Sequence, residues 1–195
     1  MDTSAVSINP ALVAVAAADT APSCYPVELE ADVLTACGPV RIRPIRETDG
    51  DGLVAFHEGL SADSQYLRFF SCHPHLRAVE VARFTHVDYD RRLALVAERE
   101  GELVGVARFD RMADASEAEV AFIVADAYQG RGLGTLLLRH LAAAASTRGI
   151  SRFVAETLPT NHRMQAVFRH SGFDVHMAFE DGLMRVTFPI VGVAL

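Results

Sequence analysis

A chain of 195 residues, half of them hydrophobic and 22% charged, has material for one globular domain with a proper core and is short for two. Its net charge of -7 excludes nucleic acid as the main partner, because phosphate binding needs clustered cations. All 18 cations are arginine, which removes any P-loop lysine, Schiff-base lysine or self-acylated lysine.

Residues 1–24 are small and weakly patterned, Ala-rich from Ala11 to Ala18, with Pro10 and Pro22 as breakers; they read as a flexible tail ahead of a single domain spanning 25–195. No cation precedes Arg41, so an export signal is not expected, and no apolar run approaches the roughly 20 residues that span a bilayer. Cys24, Cys37 and Cys72 lack metal-ligand spacing. A reduced, cytoplasmic protein without membrane attachment is the expectation.

Val27 to Thr35 and Val40 to Arg46 read as strands around a Cys37-Gly38-Pro39 turn. Thr48 or Asp49 is placed to cap a helix running to Leu60, and Ser61 to cap a second one carrying Tyr66 to Phe70. After a Cys72–His75 loop, a third helix spans about Arg77 to His86. The period then changes to two: Arg92 to Glu100 and Glu102 to Asp110 form a hairpin turning at Gly101, and Glu117 to Val124 is a further strand. Gly132 to Arg148 is an amphipathic helix, with Leu133, Leu136, Leu137 and Leu141 at helical spacing. A strand at Arg152 to Leu158 and a helix from Asn161 to Ser171, stopped by Gly172, follow. Strands at about Phe173 to Phe179 and Leu183 to Ile190 close the chain through an Asp181-Gly182 turn. The layout is a mixed α/β domain without internal repeats.

Chemistry concentrates where a buried strand runs through a short polar joint into Gln129-Gly130-Arg131-Gly132-Leu133-Gly134-Thr135 and a helix. Bare amides at a helix start carry partial positive charge and suit a phosphate. Glycines early in a helix cost about 1 kcal/mol each against alanine, so a function should offset that loss. A P-loop requires lysine, and a dinucleotide turn read from Gly130 requires glycine at Thr135; neither fits.

What fits is Gln/Arg-x-x-Gly-x-Gly/Ala, on Gln129, Gly132 and Gly134, and this resembles the acetyl-CoA-binding motif of the GNAT (Gcn5-related N-acetyltransferase) superfamily. The resemblance runs from about Tyr25 to Val191 and is reinforced by Asn161 to Phe173 (NHRMQAVFRHSGF). It implies a mostly antiparallel mixed sheet of about six or seven strands with four or five helices, whose fourth and fifth strands splay around acyl-CoA. It also implies that Asn161 bonds the pantetheine arm or orders the strands around it, besides capping its helix. Many relatives carry near Phe168 a tyrosine that protonates the departing thiolate. Phenylalanine cannot, and a thiol pKa of about 8.5 allows the thiolate to leave unprotonated.

The acceptor amine must be neutral, and deprotonating a lysine at pH 7 costs about 4–5 kcal/mol. A carboxylate with a pKa raised by partial burial suits that task. Glu119, in an apolar strand before the glycine turn, resembles the general base of lysine-directed members, with Glu117 on the same face in reserve. The amides of Ile123 or Val124 would polarise the thioester carbonyl. No metal is expected: Cys72-His73-Pro74-His75 offers adjacent residues that seldom converge on one ion.

Three stretches, Tyr25-Pro26 leading to VRIRPIRETD, then SADSQYLRFFS and FTHVDYDRRLALVAERE, are similar to the GNAT domain of bacterial protein lysine acetyltransferases. That likeness implies acetyl-CoA as co-substrate and a protein lysine acceptor, as in acyl-CoA synthetases. A small-amine acetyltransferase and a non-catalytic acyl-CoA-binding module are the alternatives. Oligomeric state is not legible.

Overall fold

The computed structural model describes residues 24–190. The expected tail therefore lies, except for Cys24, outside the described residues. Eight strands form: β1 (Ala31–Thr35), β2 (Gly38–Pro44), β3 (Arg92–Arg99), β4 (Glu102–Arg111), β5 (Glu117–Val124), β6 (Arg152–Thr157), β7 (His176–Glu180) and β8 (Leu183–Pro189). Five helices accompany them: α1 (Gly50–Glu58), α2 (Ala62–Phe69), α3 (Ala78–Thr85), α4 (Leu133–Ser146) and α5 (His162–Arg169). The eight strands form one sheet in the order β1-β2-β3-β4-β5-β6-β8-β7, one strand wider than the six or seven expected.

Local chemistry explains the turns. Glu100 and Gly101 both have positive φ (55° and 84°), as do Asp181 and Gly182 (49° and 83°), so each pair makes the tight reversal that suits a twisted hairpin. Ser61 caps α2 as expected, its hydroxyl accepting from the Ser64 amide at 3.2 Å. Two expectations are corrected. Val27–Leu29 is a single 3-10 turn, and pairing with β2 begins only at Ala31. Asp49 sits ahead of α1 but does not cap it through its side chain. Its carboxylate is held instead by the Arg43 guanidinium at 2.7 and 2.8 Å and by the Arg46 amide at 2.7 Å. A buried guanidinium outcompetes a helix amide for that carboxylate because charged hydrogen bonds are the stronger ones.

Both faces of the sheet are covered at its centre, where Leu93 to Ala97 of β3 are all buried. One face packs on α4 through Leu133, Leu137, Leu138 and Leu141, each at most 1% exposed. The other carries a smaller cluster of Ile45, Leu53, Phe56 and Leu60 against Ala94 and Val96. Gly105 of β4 lets α4 approach, because a Cβ there would lie 3.0 Å from Leu137 Cδ1.

One relationship in the sheet differs from the rest. Every neighbouring pair is antiparallel except β5 and β6, which are parallel and in register only at Glu117–Arg152, Ala118–Phe153 and Glu119–Val154. Beyond Glu119 the two strands diverge, while β4 continues to pair with β5 as far as Val124. The expected splay is present, but between the fifth and sixth strands of this chain rather than the fourth and fifth, because the chain has an extra strand ahead of them. Among the described residues no helix is long and apolar enough to cross a membrane.

Candidate active site

The glycine turn occupies the open end of the splay. β5 ends at Val124, Asp126–Tyr128 form a 3-10 turn, and Gly130 and Gly132 take φ of +72° and +83° before α4 starts at Leu133. The first bond of the α4 ladder runs from the Leu136 amide to the Gly132 carbonyl at 3.0 Å. The amides of Leu133, Gly134 and Thr135 precede that ladder, and no side chain caps them. They open on a cleft of about 430 Å³, lined by Gly130, Gly132, Gly134 and Thr135 on one side and by Asn161 and Val167 on the other.

The expected cofactor residues divide by role. The Leu133 side chain is 1% exposed within the core, leaving only its backbone at the turn, and Arg131 points out to solvent. Gln129 lines the cleft, but its amide is a brace: Nε2 donates to the Val124 carbonyl at 2.9 Å and to Ser64 Oγ at 3.1 Å, and Oε1 accepts from Arg163 at 2.7 Å. Asn161 caps α5, its Oδ1 accepting from the Met164 amide at 3.0 Å. It also lines the cleft.

Strand alternation separates Ile123 from Val124. The Ala125 amide donates toward β4, to Val104, whereas the Ser116 carbonyl accepts from Arg152 on the β6 side. Backbone groups of odd-numbered residues in β5 therefore face β4 and those of even-numbered residues face β6. The Val124 amide consequently looks into the gap, and the Ile123 amide does not.

A second cavity of about 90 Å³ adjoins the cleft and shares with it Leu67, Arg68, Phe122, Asn161 and Met164. Glu119 lines it, together with Glu156 and Asp110. Burial pushes the Glu119 carboxyl above its ordinary value, the negative charges of Glu156 and Asp110 push the same way, and Arg68 and Arg108 oppose them. Glu117 lies outside this cavity and is engaged by Arg152 at 3.1 Å. Phe168, 1% exposed, forms part of the cavity wall and packs edge-on against Phe122 at 5.5 Å.

Other contributors went unread in the sequence. Arg68 borders both cavities from α2, and burial, with help from Arg108, depresses its guanidinium to about 10. Arg108 is held by Asp110 at 3.1 Å and stacks over Phe84 at 4.8 Å. Asp126 fastens α2 to the loop after β5, accepting from the Ser61 amide, Ser61 Oγ and Ser64 Oγ at 2.8, 2.8 and 2.6 Å. The helical spacing of SADSQYLRFF shows a helix but carries no sign of which strand it covers. The Cys72–His75 loop disperses: Cys72 and His75 are exposed, while His73 stacks on Phe69 at 4.3 Å.

A sheet whose single parallel pair opens beside an uncapped helix start is the architecture of an acetyl-CoA-dependent N-acyltransferase. A model of the Acetyltransferase (GNAT) family matches residues 41–173. An acetyltransferase of Pseudomonas aeruginosa is 30% identical over 138 residues, covering 69% of this chain and 74% of that protein. The acetyltransferase Pat of Mycolicibacterium smegmatis is 34% identical over 134 residues, covering 67% of this chain but only 40% of Pat. The crystal structure of the GNAT domain of S. lividans PAT matches with a TM-score of 0.80 at 46% identity, over 85% of this chain and 99% of that one. The chain belongs to the GNAT family of acetyltransferases.

Proposed function

We propose that this acetyltransferase moves an acetyl group from acetyl-CoA to a lysine side chain of a protein, by direct attack in a ternary complex. The carrying observation is Glu119, a half-buried carboxylate of raised pKa in a cavity that opens onto the cleft of the glycine turn. A carboxylate pointing to solvent would have favoured a non-catalytic binding module instead.

In this reading the amides opening α4, with Gly130 and Gly132 clearing the approach, hold the CoA pyrophosphate. Asn161 meets the pantetheine arm. Glu119 takes the amine proton directly or through water, the neutral nitrogen attacks the thioester carbon, and the Val124 amide donates to the developing oxyanion. The small cavity suits a slender acceptor: Phe70 and Phe84 provide walls for an aliphatic stem, and three carboxylates, Asp110, Glu119 and Glu156, attract its ammonium. The likeness to the acetyltransferase Pat and to S. lividans PAT supports acetyl transfer, and the three stretches similar to bacterial protein lysine acetyltransferases favour a protein acceptor. Free thiols at Cys24, Cys37 and Cys72 suit a reducing cytoplasm.

The test is mass spectrometry of candidate proteins, acyl-CoA synthetases first, incubated with enzyme and acetyl-CoA. Enzyme-dependent lysine adducts support the proposal. Turnover of free amines without any such adduct would replace it with a small-amine acetyltransferase.

A further inference from the structure

Thr157 ends β6 just past the point where that strand leaves β5. It is 2% exposed and lines the smaller cavity, yet its Oγ1 has no hydrogen-bond partner among the described residues. A buried hydroxyl left unpaired forfeits the water it held in the unfolded chain, so such an atom calls for an explanation. A ligand atom supplies one.

Two further observations indicate which atom. Glu119 is in register with Val154 across the parallel pair, so Glu119, Val154 and Glu156 share one face, while Phe153, Ala155 and Thr157 share the other. Glu119 and Thr157 thus flank the gap from opposite faces of the sheet. Thr157 also shares its cavity with Phe168, the apolar side chain that cannot assist a leaving group, and with Asn161, which borders the cofactor cleft. An amine attacking a thioester and the sulfur it expels occupy different corners of one tetrahedral intermediate. A base on one face therefore leaves the other face open to a partner of the sulfur.

We infer that the Thr157 hydroxyl donates a hydrogen bond to the CoA sulfur as the carbon–sulfur bond breaks. This rests on the acyl-transfer reading above. The carboxylate of Glu119 takes the ammonium proton and passes it to solvent, the neutral amine's lone pair forms the new carbon–nitrogen bond, and the second nitrogen proton then passes to Glu119. The carbon–sulfur electron pair stays on sulfur as thiolate. Thr157 keeps its proton throughout, since a thiolate of pKa about 8.5 is far too weak a base to remove it. The thiolate is protonated by solvent after release.

The experiment compares wild type, Thr157→Val, which removes the hydroxyl at nearly constant volume, and Thr157→Ser, which keeps it. Thr157→Val is expected to lower kcat about tenfold, the worth of one ordinary hydrogen bond, with the acetyl-CoA Kd changed less than about twofold. Thr157→Ser restores kcat to within about threefold. A second readout needs no turnover: the thiol of bound CoA, titrated by its ultraviolet thiolate absorbance, ionises about one pH unit higher in Thr157→Val than in wild type. An unchanged titration, an unchanged kcat, or a serine variant as impaired as the valine one would overturn the inference. If wild type binds CoA yet acylates no acceptor, the acyl-transfer reading fails, and the titration still decides the contact between Thr157 and sulfur.

Discussion

Glu119 and Glu156 stand on the same face of the β5–β6 pair, Glu119 in the last register match and Glu156 just beyond it, where the strands have parted. The two strands share only three matched residue pairs, so two carboxylates that are far apart in sequence converge on one small cavity. Burial does most to raise the Glu119 pKa, and the charge of Glu156 adds to it.

Replacing Glu119 with glutamine is expected to lower kcat/KM on the order of a hundredfold or more and to abolish the acid limb of its pH profile. Glu156→Gln removes one of the charges that raise the Glu119 pKa, so it should move that limb to lower pH while preserving most of the rate. Thiol release followed from about pH 5 to 9 checks both. A Glu119→Gln enzyme with full activity across that range removes Glu119 from the role of base.

The same carboxylate should weaken the fold at neutral pH. Its folded pKa is raised, so the folded chain keeps the proton at pH values where the unfolded chain has lost it. Its effect on stability is nil below the ordinary value of 4.5 and increasingly unfavourable as pH rises from there through the raised folded value. Glutamine carries no such penalty. Thermal melts should therefore show Glu119→Gln matching wild type at about pH 4 and exceeding it at pH 7, and a difference that does not grow with pH contradicts the assignment.

Gly132 tests the turn. Its φ of +83° strains any other residue, although a Cβ there would meet nothing within 4 Å. Gly132→Ala is expected to cost about 1–2 kcal/mol of stability and to weaken CoA binding about tenfold by crowding the approach to the amides. Gly134 offers a contrast: it is helical, and a Cβ there would be 3.4 Å from Val167 Cγ2, so alanine should be neutral or slightly stabilising. Calorimetric titration with CoA, alongside thermal melts, separates the two effects.

Asp126 fastens α2 across the loop, and Asp126→Ala should cost about 2–3 kcal/mol, because three hydrogen bonds to a carboxylate are lost together. Since α2 carries Leu67 and Arg68 to both cavities, the KM for the amine should rise as well. Steady-state kinetics with denaturant melts will show whether loosening α2 disturbs the site or only the fold.

Gly105→Ala would push a methyl to 3.0 Å from Leu137 in the packed interface between α4 and the sheet. A loss of about 1–3 kcal/mol is expected, with CoA affinity changed little once the protein is folded. Urea denaturation measures it.

The signals legible in the chain are local. Gly130 and Gly132 announce an open turn, Gly101 a hairpin reversal, the leucines of α4 a buried face, and Asn161 a helix start; each signal acts within a few residues. The glycine turn and most of the order of elements were legible on that basis, whereas Glu119 became a candidate through the family resemblance of its place before the turn. Tertiary structure decided what depends on which strands lie side by side and where they stop pairing. It set Glu119 in the cavity and left Glu117 on Arg152, turned the Val124 amide rather than that of Ile123 into the gap, and made the Gln129 amide a brace. It also brought Arg68, Glu156 and Thr157 to the same small space. Hydrogen-bond parity and burial are properties of neighbours distant in sequence, and no local period encodes them.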